Sequence, residues 1–250
     1  MSREMFALLL TLLLGVFILI GAFIILFLKK KDNIIQFSIG LALGVIVMLG
    51  VIDLIPEVIE NLGLRYIYIA FGGCLIGYFL LKLLDKFIPD HHEDKMNKKE
   101  ANSNLIHIGI VTSIALILHN LIEGIAVYSS CVNDTSVGLM LAIGVGFHNI
   151  PLGMVISSSF YHSTGNVWKT LLVVLVVSLS TFVGGVFMFL LNINTISEVL
   201  LGGVLSITLG MLAFIVIDEL IPRIINSKNK KYSYIGIGVG ILILIVSLFI

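Results

Sequence analysis

Runs of about twenty consecutive apolar residues, separated by short polar stretches, fill almost the whole chain. A run of that length crosses the hydrocarbon of a bilayer as an α-helix. Roughly 20 residues rising ~1.5 Å each cover ~30 Å, and a helix satisfies its own backbone N–H and C=O groups where no water is available. Eight such runs are read, at about 5–28, 34–56, 64–88, 107–130, 138–160, 168–191, 197–221 and 232–250. Composition agrees, with 58% hydrophobic and 12% charged residues and a mean hydropathy of +1.13. An ordinary soluble domain is about 25% charged. The expected fold is therefore an all-α membrane protein of eight transmembrane helices. Residues 1–250 form one domain, with no room for a soluble catalytic module. The first run is too long for the core of a signal peptide and is followed by Lys29-Lys30-Lys31, so it is read as a retained helix. Cys74 and Cys131 lie in different spans or at a span edge and suggest neither a disulfide framework nor a thiolate metal site.

The formal net charge is zero, but its distribution is one-sided. Lys29, Lys30 and Lys31 follow the first span. Lys82, Lys86, Lys95, Lys98 and Lys99 fall at and after the third, Lys169 between the fifth and sixth, and Arg223, Lys228, Lys230 and Lys231 between the seventh and eighth. Only Arg3 and Arg65 fall on the other side. Basic residues accumulate in cytoplasmic loops, so both termini are expected outside the cytoplasm. The one long polar segment, about 89–106, is then a cytoplasmic loop. It reads as a solvated linker, and His91 and His92 are the residues that a weak metal-capture loop would use.

Polar groups inside the spans are few and repeat a pattern. His119-Asn120-Leu121-Ile122-Glu123-Gly124 in the fourth span is echoed by His148-Asn149-Ile150-Pro151-Leu152-Gly153 in the fifth. Ionisable residues at membrane depth are costly and mark polar pathways. His119 and Glu123 share a helix face, one turn apart. At position 152, the corresponding place after His148, the residue is Leu. A single buried histidine usually holds helices together; a repeated His-Asn phrase with a carboxylate at i+4 points instead to a metal site. Two imidazoles, one carboxylate and the oxygens of Asn120 and Asn149 suit Zn²⁺, and also Fe²⁺ or Mn²⁺, but not sulfur-seeking Cu⁺. Pro151 has no N–H, so the carbonyl of Phe147 loses its helical partner beside His148.

The second span ends Asp53-Leu54-Ile55-Pro56-Glu57 and the seventh ends Asp218-Glu219-Leu220-Ile221-Pro222. These spans run in opposite directions, as an inverted repeat requires. Spans one to three and six to eight would then flank a central pair that carries both His-Asn phrases. Asp53 and Glu57 would lie towards one face of the membrane, Asp218 and Glu219 towards the other, and the histidines between them, as steps of a cation pathway.

These residues resemble the ZIP (Zrt/Irt-like) family of divalent metal transporters over essentially the whole chain. The specific part is the His-Asn-x-Pro-Glu-Gly phrase of its bacterial zinc-importing members. The resemblance implies a 3+2+3 helix arrangement, a metal centre between spans four and five, movement of zinc (in some members iron or manganese) towards the cytoplasm, and a homodimer. It carries a ligand role to His119, Asn120, Glu123, His148 and Asn149, and a pathway role to Asp53, Glu57, Asp218 and Glu219. Two positions depart from the pattern. Ile122 replaces a proline, so the fourth span should be straighter, and Leu152 replaces a second glutamate that in the family can bridge two metals. A single-metal site with less negative charge is expected.

Secondary transport is the leading reading, because no Gly-x-x-x-x-Gly-Lys phrase for nucleotide binding is present. One alternative is an intramembrane zinc hydrolase, since two His and one Glu make a catalytic zinc set, although there is no His-Glu-x-x-His and no additional general base beside the ligands. The other is a non-transporting relative that senses metal. The expectation is not an enzyme. No prosthetic cofactor and no nucleic-acid partner are expected, and the location is a bacterial plasma membrane.

Overall fold

A computed structural model describes residues 2–27, 32–86, 98–193, 197–227 and 229–247. Its regular structure is entirely helical: α1 (Arg3–Phe27), α2 (Asp32–Leu49), α3 (Ile55–Leu62), α4 (Ile67–Asp85), α5 (Lys98–Asn133), α6 (Thr135–Thr164), α7 (Val167–Leu190), α8 (Glu198–Phe214), α9 (Ile221–Asn226) and α10 (Lys230–Ser247). The pairs α2–α3 and α8–α9 each form one continuous span. Among the described residues seven helical stretches are long and apolar enough to cross a membrane. α10 supplies the eighth expected span with 18 residues, or ~27 Å.

Three boundaries differ most from those expected from the sequence. Residues 98–106, read as part of the polar loop, already belong to α5. Lys98, Lys99, Glu100 and Ala101 are good helix formers, and a helix that leaves the membrane needs no apolar partner there. The loop residues His91 and His92 lie outside the described residues. The second and seventh spans run on to Leu62 and Asn226, past Pro56 and Pro222. Each proline stands in the first turn of its helix, where its missing N–H leaves a carbonyl upstream without a partner. Both spans answer by loosening into a π-turn, Gly50–Leu54 and Ile215–Leu220. The N–H of Ile55 reaches back five residues to Gly50 O, and that of Ile221 to Val216 O.

Packing follows two groups of helices. α1, α5, α6 and α7 form one, with α1 against α6 and α7, and α5 against the same two. The α2–α3 span, α4, the α8–α9 span and α10 form the other, with α2 against α10 and α4 against α8. Contacts of α2 with α6 and of α5 with α8 join them. Lipid is as apolar as leucine, so close approach at small residues rather than water exclusion holds such helices together. The contacts repeat in reciprocal pairs. A Cβ on Gly21 of α1 would collide with the carbonyl of Ile150 on α6, and one on Gly153 of α6 with that of Ile18 on α1. The same reciprocity links Gly184 of α7 to Leu121 of α5 and Gly124 of α5 to Thr181 of α7. An inverted repeat, in which α1 corresponds to α7 and α5 to α6, generates this pattern. Large apolar side chains such as Phe71, Ile76 and Leu172 point outward. In water they would be a liability; in a bilayer they are solvated.

α5 and α6 meet in a tight turn at Asp134, whose carboxylate accepts from Ser136 N at 2.8 Å and Val137 N at 3.3 Å. Arg3 Nη1 donates to Asn133 O at the same end. Because the helices run antiparallel from that turn, His119 and His148 both stand roughly 20 Å from it, at one depth.

Candidate metal centre

That common depth brings the two phrases into contact. His119 and His148 face each other with ring centroids 6.2 Å apart. Both aim Nε2 at the same atom: His148 Nε2 hydrogen-bonds Glu123 Oε1 at 2.7 Å, and His119 Nε2 lies 2.7 Å from it. The His119 contact is as short but off the line that a hydrogen bond needs, since its nitrogen has no properly directed partner. One carboxylate oxygen thus faces two imidazoles at once. Among the described residues these three form the one cluster of His, Cys, Asp or Glu whose ligand atoms all lie within 4.8 Å of one another. A tetrahedral zinc ion with bonds of about 2.0–2.1 Å separates its ligand atoms by about 3.3 Å, so small rotations of these side chains would admit it.

The surroundings leave further donors unused. Glu123 Oε2, His119 Nδ1 and Asn120 Oδ1 are buried without a hydrogen-bond partner, and so are both amide atoms of Asn149. A buried polar atom without a partner costs roughly 1–3 kcal/mol, so such a concentration asks for an occupant. Asn120 is anchored: its Nδ2 donates to Val177 O on α7 at 3.2 Å, which orients the free Oδ1. Leu152, which stands in α6 where Glu123 stands in α5, is 1% exposed and packs in the apolar core.

The expected pathway acids separate into two kinds. Asp53 and Glu57 share a small cavity of about 30 Å³ with His119 and Glu123, so the second span reaches the cluster. The cavity is walled by Ala126, Val127, Leu141 and Val145, all on the Asp134 side of the histidines. Asp218 and Glu219 do not border it. Asp218 turns to α4, where it accepts from the Tyr78 hydroxyl and lies 3.6 Å from Lys82 Nζ. Glu219 interacts electrostatically with Arg223, one turn further on. Lys82 enters the sequence reading only as a topology charge, and Tyr78 not at all. A tyrosine and a lysine at i and i+4 carry no signal of the distant acid they meet.

A family model described as "ZIP Zinc transporter" matches residues 89–247. Similar proteins include "Zinc transporter ZupT" from Enterobacter sp. (strain 638), 29% identical over 221 residues, covering 86% of this chain and 85% of that protein. The protein of that name from Escherichia coli O7:K1 (strain IAI39 / ExPEC) is 28% identical over 223 residues, with the same coverage. The one from Clostridium perfringens (strain 13 / Type A) is 28% identical over 249 residues, covering 89% of this chain and 87% of that protein.

Proposed function

The chain belongs to the ZIP zinc transporter family, and from that premise we propose that it imports zinc across a bacterial plasma membrane through a site made by His119, Glu123 and His148, with Asn120 and Asn149 beside them. It is a multi-pass transporter and not an enzyme. The observation that carries the site assignment is the convergence of two imidazole nitrogens on one carboxylate oxygen at a common depth.

The chemistry follows from what hydrated zinc requires. Leaving water for a bilayer is prohibitive for a dication unless ligands and counter-charge replace its hydration shell. Asp53 and Glu57 supply negative charge at one mouth, and the small cavity they share with His119 and Glu123 puts them next to the midplane cluster. There Glu123 contributes one negative charge and the imidazoles contribute neutral nitrogens. The ion is held, but not so tightly that it cannot leave. The donor set would also accept Fe²⁺ or Mn²⁺, with zinc preferred for two imidazoles. With Leu152 in place of a second acid, the centre holds one ion at a time. Residues 1–250 act as a single transmembrane domain.

The charge distribution of the loops supports an orientation with Arg3 and the Asp134 turn outside and Lys82 inside, so Asp53 and Glu57 form the outer mouth. Two copies act as a homodimer, as in the family; the outward face of α4, with Tyr68, Phe71, Ile76 and Phe79, gives such a contact apolar area. The test is zinc uptake into proteoliposomes. Native protein should take up zinc, and His119→Ala and Glu123→Ala should abolish uptake. Unchanged uptake in both variants would refute the site.

A further inference from the structure

The two π-turns occupy equivalent places in the repeat but carry unlike charge. Setting Leu54-Ile55-Pro56 in register with Leu220-Ile221-Pro222 pairs Asp53 with Glu219 and Glu57 with Arg223. At the outer mouth both members are acids, and both line the cavity that reaches the midplane. At the end of the seventh span, which the loop charges put on the cytoplasmic side and which is the inner mouth of the proposed orientation, each acid comes with its own cation. Lys82 Nζ lies 3.6 Å from Asp218 Oδ1 and 5.5 Å from the centre of the Tyr78 ring, while the Tyr78 hydroxyl donates to Asp218 Oδ2. Arg223 lies one turn from Glu219 and interacts with it. Lys82 stands in the last turn of α4, and the Lys82 and Asp218 side chains are 45% and 32% exposed, so their pair is open rather than buried and free to exchange partners.

We propose that Lys82 is a resident counter-cation of the inner mouth. It occupies Asp218 while the pathway is open on the Asp53 side, yields to a zinc ion arriving from the midplane, and returns to displace that ion into the cytoplasm. The inference rests on the transport reading and adds a residue outside the midplane site. Its physical content is an asymmetry of affinity. Uncompensated acids concentrate cations at the entrance, and self-neutralised acids retain them poorly at the exit. Tyr78 fixes the Asp218 carboxylate, so Lys82 and zinc compete for the same oxygens.

The test is inhibition of zinc uptake by zinc loaded inside proteoliposomes. Lys82→Met should lower the internal zinc that halves uptake by about threefold, the scale of a half-exposed ion pair, and leave the external KM unchanged. Lys82→Arg should restore native behaviour, and adding Asp218→Asn to Lys82→Met should remove the effect. Native internal inhibition in Lys82→Met would overturn the proposal. So would an external KM that shifts in parallel without rescue by Lys82→Arg, which marks a merely structural role. A second arm does not depend on flux. In detergent, zinc titration of Lys82→Met should show an additional weak binding event that Asp218→Asn abolishes. Its absence also overturns the proposal. Its presence in a protein that moves no zinc would sink the transport reading instead.

Discussion

Replacing Glu123 by Gln keeps the side chain's size and removes its charge, so it isolates the contribution of the carboxylate. In the structure one oxygen of Glu123 meets both imidazole nitrogens at 2.7 Å, and the other has no partner. The zinc-loaded centre changes from net +1 to net +2 in a buried position. Loss of a mere supporting residue around a metal costs about 10–100-fold in affinity, and loss of a charged ligand should reach at least the upper figure. The consequence for stability can be worked out. At zinc one hundred times the native Kd, binding stabilises the native protein by about 2.7 kcal/mol. If the variant binds 100-fold more weakly, the same concentration equals its Kd and contributes only about 0.4 kcal/mol. Without zinc the variant keeps an amide oxygen that accepts from His148, so it should lose only the difference between a charged and a neutral hydrogen bond, about 1–2 kcal/mol. Thermal unfolding in detergent, with and without zinc, measures both quantities. A zinc-dependent shift in Glu123→Gln equal to the native one would refute the assignment of Glu123 as a ligand. Strong destabilisation without zinc would show that the cluster is a structural hydrogen-bond network.

Further outcomes follow from the same geometry. Leu152→Glu should raise the zinc bound per chain from one to two, read by equilibrium dialysis, with the second ion lost when Glu123→Ala is added. Asp53→Asn with Glu57→Gln should raise the external KM several-fold and weaken its dependence on ionic strength, because a charged entrance attracts cations through a screened field. Gly153→Ala places a methyl group against the backbone carbonyl of Ile18, and Gly124→Ala places one against that of Thr181. Each should cost about 1–3 kcal/mol of thermal stability as the helices part.

The spans and the central cluster are legible in the sequence for simple reasons. Hydrocarbon thickness fixes the length of an apolar run, and helical periodicity fixes that His119 and Glu123 share a face. His148 joins them because the turn at Asp134 is so short that the depths in α5 and α6 must match. What the sequence conceals depends on side-chain direction across helices. Asp53 and Asp218 look alike in their Leu-Ile-Pro contexts, yet one borders the cavity and the other turns to Tyr78 and Lys82. The π-turn between Phe214 and Ile221 has six residues against five between Leu49 and Ile55, and that extra residue moves Asp218 out of register with Asp53. The helical start of α5 at Lys98 is hidden because a polar run signals loop and exposed helix alike, and Lys, Glu and Ala favour helix outside lipid.

The repeat itself explains where this chain is free to differ. Reciprocal glycine contacts link backbone to backbone: Gly21 to Ile150, Gly153 to Ile18, Gly184 to Leu121 and Gly124 to Thr181. A side chain at any of them would separate the helices, so the symmetric frame is fixed by steric contact. The functional positions are not under that constraint. Glu123 and Leu152 occupy corresponding places, as do Glu57 and Arg223, and in each case the frame holds while the charge changes. A symmetric frame gives two similar mouths and a site midway between them. The substitutions then make the mouths unequal: acids with no cation of their own on one side, paired acids on the other, and a single carboxylate at the centre. On the proposed route, an ion drawn to the first mouth would meet one anionic ligand at the midplane and then a mouth already occupied by the chain's own lysine. The shared backbone frame therefore leaves the difference between the two ends to their charges: acids without a cation at Asp53 and Glu57, and paired acids at Asp218 and Glu219.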